Sequence, residues 1–322
     1  WDENAVGECG WFVADEWYKK PYVDKEGNSD KEKARASNNR YRDLVRKSGT
    51  KRAYEKAVTQ NPNTPAEAFL RTTGNRFPST DLLARMSRLQ SDSRITDADF
   101  IGAFSPNEDG EMEWKMDPQL NPIKGFPIKN DDDTEGCVVI YEHPQTDELN
   151  NVPYSRYIAG CDPYAQDQST TNSLGSTLVY DRLTKRIVAE YTARPTTNNE
   201  YYEIVRRLLK YYNAICLYEN QITGLFQYLN GKNESHLLMD QPEYIKDIIK
   251  DSKVDRGKGM HMTPGLKEHG EDLVNAWLRE QYDTDPDIMN LHKVRSIPLL
   301  QELIAYTEEG NYDRVMAFIM IM

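Results

Sequence analysis

Arg156-Tyr-Ile-Ala-Gly-Cys-Asp-Pro163, followed after a polar loop by Gly175-Ser-Thr-Leu-Val-Tyr-Asp181, is the stretch on which the fold turns. Tyr157 to Cys161 is a short apolar run closed by Asp162-Pro163, the pattern of a buried strand ending on a carboxylate. The loop Tyr164 to Ser173 is polar and carries a second carboxylate, Asp167. Leu178 to Tyr180 resumes the strand pattern, and Arg186 to Ala193 gives a third strand rich in β-formers. A carboxylate at the end of a central strand, before two returning strands, is well placed to face a metal ion. Taken alone, Asp162-Pro163 reads equally well as a strand stop and turn.

Outward from this stretch, the pattern predicts a helix over Asn198 to Tyr212, with apolar and aromatic residues at helical spacing. A fourth strand follows over Ala214 to Glu219, then a helix from about Gln221 to Leu229, a short fifth strand at Leu237 to Met239 and a helix over Gln241 to Ile249. Lys250 to Met262 is charged and glycine-containing, and reads as a mobile loop. Helices are predicted at Gly265 to Gln281, Ile297 to Thr307 and from Asn311 onward. Upstream, Cys137 to Tyr141 reads as a strand and residues 90 to 135 as loop or linker. Before that come helices over Ser29 to Lys47, Lys51 to Gln60 and Leu82 to Leu89, with Thr64-Pro65-Ala-Glu67 as a further helix start. The order predicts an α/β fold, a mixed β-sheet flanked by helices and preceded by a mainly helical segment. The expected division is 1–105 for the helical segment and 106–322 for the α/β domain.

Composition narrows the function. A formal charge of −12 gives no whole-molecule attraction to nucleic acid, so contact with a phosphate backbone needs a local basic patch or metal ions. The run Lys31 to Lys56 holds ten basic and three acidic residues, and reads as a solvated helical face, with a nucleic-acid or partner contact as the alternative. Four widely spaced cysteines without a C-x-x-C pair argue against a zinc knuckle or a disulfide framework. The five histidines have no H-x-x-x-H spacing, although His261 and His269 flank the candidate site. No apolar run is long enough to span a membrane. A start at Trp1 and an apolar end at Phe318-Ile-Met-Ile-Met322 suggest a piece of a longer chain.

Three acids occupy chemically suggestive positions. Asp162 ends the first strand, Glu219 ends the fourth 57 residues later (219 − 162), and Asp313 opens the last helix. If the first and fourth strands are neighbours, the first two carboxylates emerge side by side. Three hard oxygen ligands suit Mg²⁺ or Mn²⁺, and two such ions ~3.5–4 Å apart hydrolyse phosphodiesters. Glu219 and Asp313 also fit a plainer role, as acids favoured at a helix start. Lys253, Arg256, Lys258 and Lys267 are candidate DNA contacts or, equally, solubilising charges.

The motifs Ala-Gly-Cys-Asp162-Pro, Leu-Tyr-Glu219-Asn-Gln-Ile-Thr-Gly224 and Asn-Tyr-Asp313-Arg-Val-Met-Ala317 together resemble the nuclease domain of large terminase subunits, the DNA-packaging motors of tailed phages. Pro62-Asn-Thr-Pro-Ala-Glu-Ala-Phe69 and Gly74-Asn-Arg-Phe-Pro78 resemble the segment linking that family's ATPase motor to its nuclease. The resemblance implies a ribonuclease H-like fold and a metal-dependent endonuclease cutting concatemeric viral double-stranded DNA. It implies Asp162, Glu219 and Asp313 as catalytic ligands of two Mg²⁺ or Mn²⁺, with Asp167 assisting. It further implies a portal protein and a small terminase subunit as partners and the bacterial host cytoplasm as location, with the isolated chain monomeric. No G-x-x-x-x-G-K-[ST] loop is present, so no ATPase activity is expected. The competing readings are a Holliday-junction resolvase or transposase core, an actin-like or sugar-kinase ATPase, and a non-catalytic module docking on portal or DNA.

Overall fold

The computed structural model describes residues 12–48, 51–68, 75–92, 99–108, 112–128, 133–164, 173–243, 245, 257–282, 288–307 and 310–322. The chain forms two compact units, Trp1–Asn75 and Arg76–Met322. The division expected after residue 105 falls inside a strand, Phe100–Pro106, that is hydrogen-bonded into the sheet of the second unit. No helix among the described residues is long and apolar enough to cross a membrane.

The first unit contains helices α1 (Lys31–Ser48), α2 (Lys51–Gln60) and α3 (Pro65–Ala68). Its buried apolar side chains include the small Ala34, Ala57 and Val58, and polar links supplement them. Asn38, fully buried, donates to Asp15 at 2.9 Å. Arg42 grips Glu67 through two nitrogens, at 3.1 and 2.8 Å, and Arg35 grips Glu16 at 2.6 and 3.0 Å. Part of the basic run is therefore committed to internal ion pairs.

The second unit opens with α4 (Ser79–Ser91) and contains seven strands: β1 (Phe100–Pro106), β2 (Met112–Met116), β3 (Val138–Ile140), β4 (Tyr157–Asp162), β5 (Gly175–Asp181), β6 (Arg186–Ala193) and β7 (Ile215–Tyr218). Helices α5 (Asn198–Tyr212) and α6 (Gly224–Gly231) flank β7, and α7 (Pro264–Arg279), α8 (Ile297–Ala305) and α9 (Asp313–Ile319) complete the chain. The strand order is β2-β1-β3-β6-β5-β4-β7. The meander β4-β5-β6 is antiparallel, and β7 joins β4 in parallel after the α5 crossover. That arrangement, with helices on both faces, is the expected α/β fold, a mixed sheet flanked by helices.

Burial on both faces explains the apolar stretches Leu178–Tyr180 in β5 and Ile187–Ala189 in β6. Successive side chains point to opposite faces. Leu178 and Tyr180 join a core with α4, α7, α8 and α9, while Val179 joins another with α5 and α6. A capping box starts α5: the Thr197 hydroxyl accepts from Glu200 N at 3.3 Å and Glu200 accepts from Thr197 N at 3.1 Å.

Three expectations need correction. Residues 90–135, read as loop, contain β1 and β2, paired from Gly102–Met116 to Pro106–Met112. Leu237 to Met239 is no full strand: Ser235–Leu237 is a 3₁₀ turn, and only Leu238 bridges in parallel to Cys216. The end of the Lys250 to Met262 segment is not loose. Met260 N donates to Tyr218 O at 2.9 Å, and Gly259 adopts φ +83° where a Cβ would collide with the Tyr218 ring. Residues 244 and 246–256, among them five of the nine positions of the helix expected over Gln241 to Ile249, lie outside the described residues.

Candidate functional site

Parallel pairing of β4 with β7 matches Cys161 with Tyr218, so the next residues, Asp162 and Glu219, leave the sheet side by side. Glu219 N donates to Cys161 O at 3.0 Å, holding the two strand ends together. The third acid arrives on α9, which packs against β4 at Gly160. A side chain at Gly160 would collide with the Ala317 carbonyl, so the Ala-Gly-Cys-Asp run needs glycine for this close approach. Asp162, Glu219 and Asp313 all line one cleft of about 850 Å³.

Asp313 is 7 % exposed and tightly held. Its Oδ1 accepts from the Ser173 hydroxyl at 3.1 Å, and its Oδ2 accepts from Leu174 N at 3.0 Å and from Asn311 Nδ2 at 3.3 Å. Behind it, the head of α9 has no side-chain cap of its own. Glu302 on α8 supplies one, its Oε2 accepting from Arg314 N at 2.9 Å and Val315 N at 3.2 Å. The Arg314 guanidinium is 1 % exposed. It contacts Glu302 at 3.1 Å and Glu190 at 3.5 Å, and donates to Ile123 O at 2.7 Å. This buried network anchors the helix that presents Asp313.

Electrostatics marks the cluster as unusual. Burial raises Asp162 well above the ordinary carboxylate range, and the negative charges of Asp313 and Glu219 raise it further. Burial also raises Glu219, against a hydrogen bond from Asp162 and the attraction of Lys267. Burial raises Asp313 too, against hydrogen bonds from Leu174, Ser173 and Asn311.

The cleft lining combines five carboxylates (the three above with Glu268 and Glu271) and three cations, Arg76, Arg194 and Lys267. The excess of negative charge would repel a phosphodiester until cations neutralise it. Arg76 bonds Glu268 at 2.8 Å and Glu271 at 2.9 Å, and the Tyr306 hydroxyl donates to Glu271. Arg194 bonds Ser173 O at 2.8 Å and lies 5.2 Å over the Tyr164 ring.

The donor chemistry fits a hard divalent cation: oxygen ligands, net negative charge and carboxylates raised by burial. The positions are less convergent. Among the described residues, no group of three or more His, Cys, Asp or Glu side chains could hold a metal ion as it stands. Both Asp313 oxygens are engaged by Ser173, Leu174 and Asn311.

Of the sequence candidates, Asp162, Glu219, Asp313 and Lys267 line the cleft. Lys258 is not among its lining residues and pairs with Asp240 at 3.0 Å. Asp167, Lys253 and Arg256 lie outside the described residues. His269 lines a separate, mainly apolar cavity. Sequence reasoning missed Arg76 and Arg194, and the clamp residues Glu302 and Arg314. Only the position of Arg314 directly after Asp313 offered a signal.

No protein-family model matches the chain, and no curated protein matches it. Among solved structures, the chain is similar to the large terminase nuclease from thermophilic phage G20c, with 14% identity, a TM-score of 0.37 and coverage of 58% of this chain and 89% of that one. The same nuclease with bound zinc (14% identity, TM-score 0.38) covers the same shares. With bound magnesium it shows 13% identity and a TM-score of 0.38, covering 58% of this chain and 88% of the other.

Proposed function

We propose that the unit Arg76–Met322 is a divalent-metal-dependent nuclease that hydrolyses phosphodiester bonds of double-stranded DNA at the Asp162–Glu219–Asp313 cleft. The observation carrying this reading is the meeting in one cleft of carboxylates from two adjacent parallel strand ends and from the head of α9. Burial raises all three. Two Mg²⁺ or Mn²⁺, held by Asp162, Glu219 and Asp313, would supply charge neutralisation, an activated water and stabilisation of the leaving oxygen. The residues of the chain do the rest. Ser173, Leu174 and Asn311 orient Asp313, and the Glu302–Arg314 clamp fixes the helix head. Lys267, Arg76 and Arg194 bring positive charge to the cleft where a phosphate backbone would lie. Water is the nucleophile, and no side chain forms a covalent intermediate.

The finer part of the proposal is an endonuclease that cuts concatemeric viral DNA during genome packaging in the bacterial host cytoplasm, working with a portal protein and a small terminase subunit. It draws on the motif resemblance around Asp162, Glu219 and Asp313, and co-purification of the chain with a portal protein tests it. The activity itself is tested by cleavage of supercoiled plasmid with Mg²⁺, Mn²⁺ or EDTA, comparing the native chain with Asp162→Asn and Glu219→Gln. Metal-dependent nicking and linearisation, absent from both variants, is the expected result. Cleavage surviving both substitutions overturns the site assignment. DNA binding without cleavage under any metal overturns the activity and leaves a docking module.

A further inference from the structure

A second groove, of about 680 Å³, adjoins the carboxylate cleft, and the two share Gln221 and Ile222 in their walls. It lies where α5 and α6 begin, and among the described residues no charged side chain lines it. Four side-chain amides do: Asn198, Asn199, Gln221 and Gln227. Two tyrosines complete it. Tyr228 is fixed through its hydroxyl, which donates to Glu203 Oε2 at 2.7 Å, and its ring is half-buried. Tyr202 is buried against Gly224, where any Cβ would collide with its hydroxyl.

We propose that this groove receives unpaired nucleobases, splayed from the duplex beside the phosphodiester at Asp162 and Glu219, giving the site a preference among flanking bases. The inference deepens the nuclease reading and rests on it. A neutral lining does not suit a phosphate, which takes Arg, Lys or a metal ion. Side-chain amides carry donor and acceptor on one plane and match the edges of bases. The distance is right as well. Gln221 follows Glu219 by two residues, at most ~7 Å of chain, about two base steps at ~3.4 Å each. A base next to the scissile bond therefore falls at the groove mouth.

The test is fluorescence anisotropy in Ca²⁺, a hard cation able to neutralise the cleft, with a labelled single-stranded DNA oligonucleotide, alongside the same oligonucleotide carrying abasic sites. The native chain is compared with the double variant Asn199→Ala/Gln227→Ala, both solvent-exposed positions, and with Asp162→Asn. The native chain and Asp162→Asn are expected to bind the base-containing strand about tenfold more tightly than the abasic one. The double variant is expected to lose that difference while keeping its circular dichroism. Equal binding of both oligonucleotides by the native chain, or a difference surviving in the double variant, overturns the groove assignment. The two readings separate cleanly. Base-dependent binding without plasmid cleavage sinks the nuclease and keeps the groove, whereas metal-dependent cleavage without base-dependent binding does the reverse.

Discussion

Replacing Glu302 by Ala tests the clamp that presents Asp313. In the native fold Glu302 is 2 % exposed and accepts two backbone N–H groups from the head of α9 as well as the Arg314 guanidinium. Burial lifts its carboxyl to about 7, so the measurement belongs at pH 8, where it is largely ionised. Removing it leaves Arg314, 1 % exposed, with Glu190 at 3.5 Å as its remaining carboxylate partner. Breaking a buried ion pair from one side costs about 3–5 kcal/mol, and each stranded backbone donor about 1–3 kcal/mol. The contributions overlap, so a loss of about 3–5 kcal/mol is expected. Urea denaturation followed by circular dichroism measures it, and amide hydrogen exchange at Arg314 and Val315 locates it. Glu302→Gln retains an amide oxygen for one of the two N–H donors and should recover part of the loss. A loss below about 1 kcal/mol for Glu302→Ala, with unchanged exchange at the two amides, would refute the clamp.

Two further perturbations follow from the same geometry. Gly160→Ala drives a methyl into the Ala317 carbonyl and within 2.9 Å of Ile321 Cγ1. It should cost about 1–3 kcal/mol by overpacking and reduce plasmid cleavage more than an alanine at exposed Gly231 would, because the displaced helix carries Asp313. Glu203 sits among Arg206, Arg207 and Tyr228, which hold its carboxyl down at about 2. A depressed folded-state pKa means stability that is fully present above the unfolded value of 4.5 and is lost as pH falls toward 2. In an acid titration followed by circular dichroism, Glu203→Gln should flatten the stability loss across that window; an unchanged profile would contradict the assignment.

The central fold was legible because β4 to β7 are buried on one or both faces, and burial writes itself as apolar runs such as Leu178-Val-Tyr180. β1 and β2 were not, because they form the outer edge of the sheet and remain largely exposed. Gly102 and Pro106 weaken the strand signal further, and at Gly102 a Cβ would collide with the Lys115 carbonyl and the Trp114 ring of the neighbouring strand. Leu237 to Met239 has strand composition, yet the chain turns there after one bridge. At the site, Asp162, Glu219 and Asp313 stood out because each closes or opens a regular element. Arg76, Arg194, Arg314 and Glu302 did not, since a charge engaged by packing between distant segments looks in sequence like any solvated charge. The 192 residues between Arg76 and its partner Glu268 (268 − 76) carry no local pattern.

The central claim is that Asp162 and Glu219 bind the divalent cation that the cleft's excess negative charge calls for. Isothermal titration of Mn²⁺ into the metal-free chain, repeated on Asp162→Asn and Glu219→Gln, tests it most directly. Saturable binding by the native chain, weakened at least about tenfold in each variant, is the predicted result. Absence of binding by the native chain, or equal binding by all three proteins, would contradict the account.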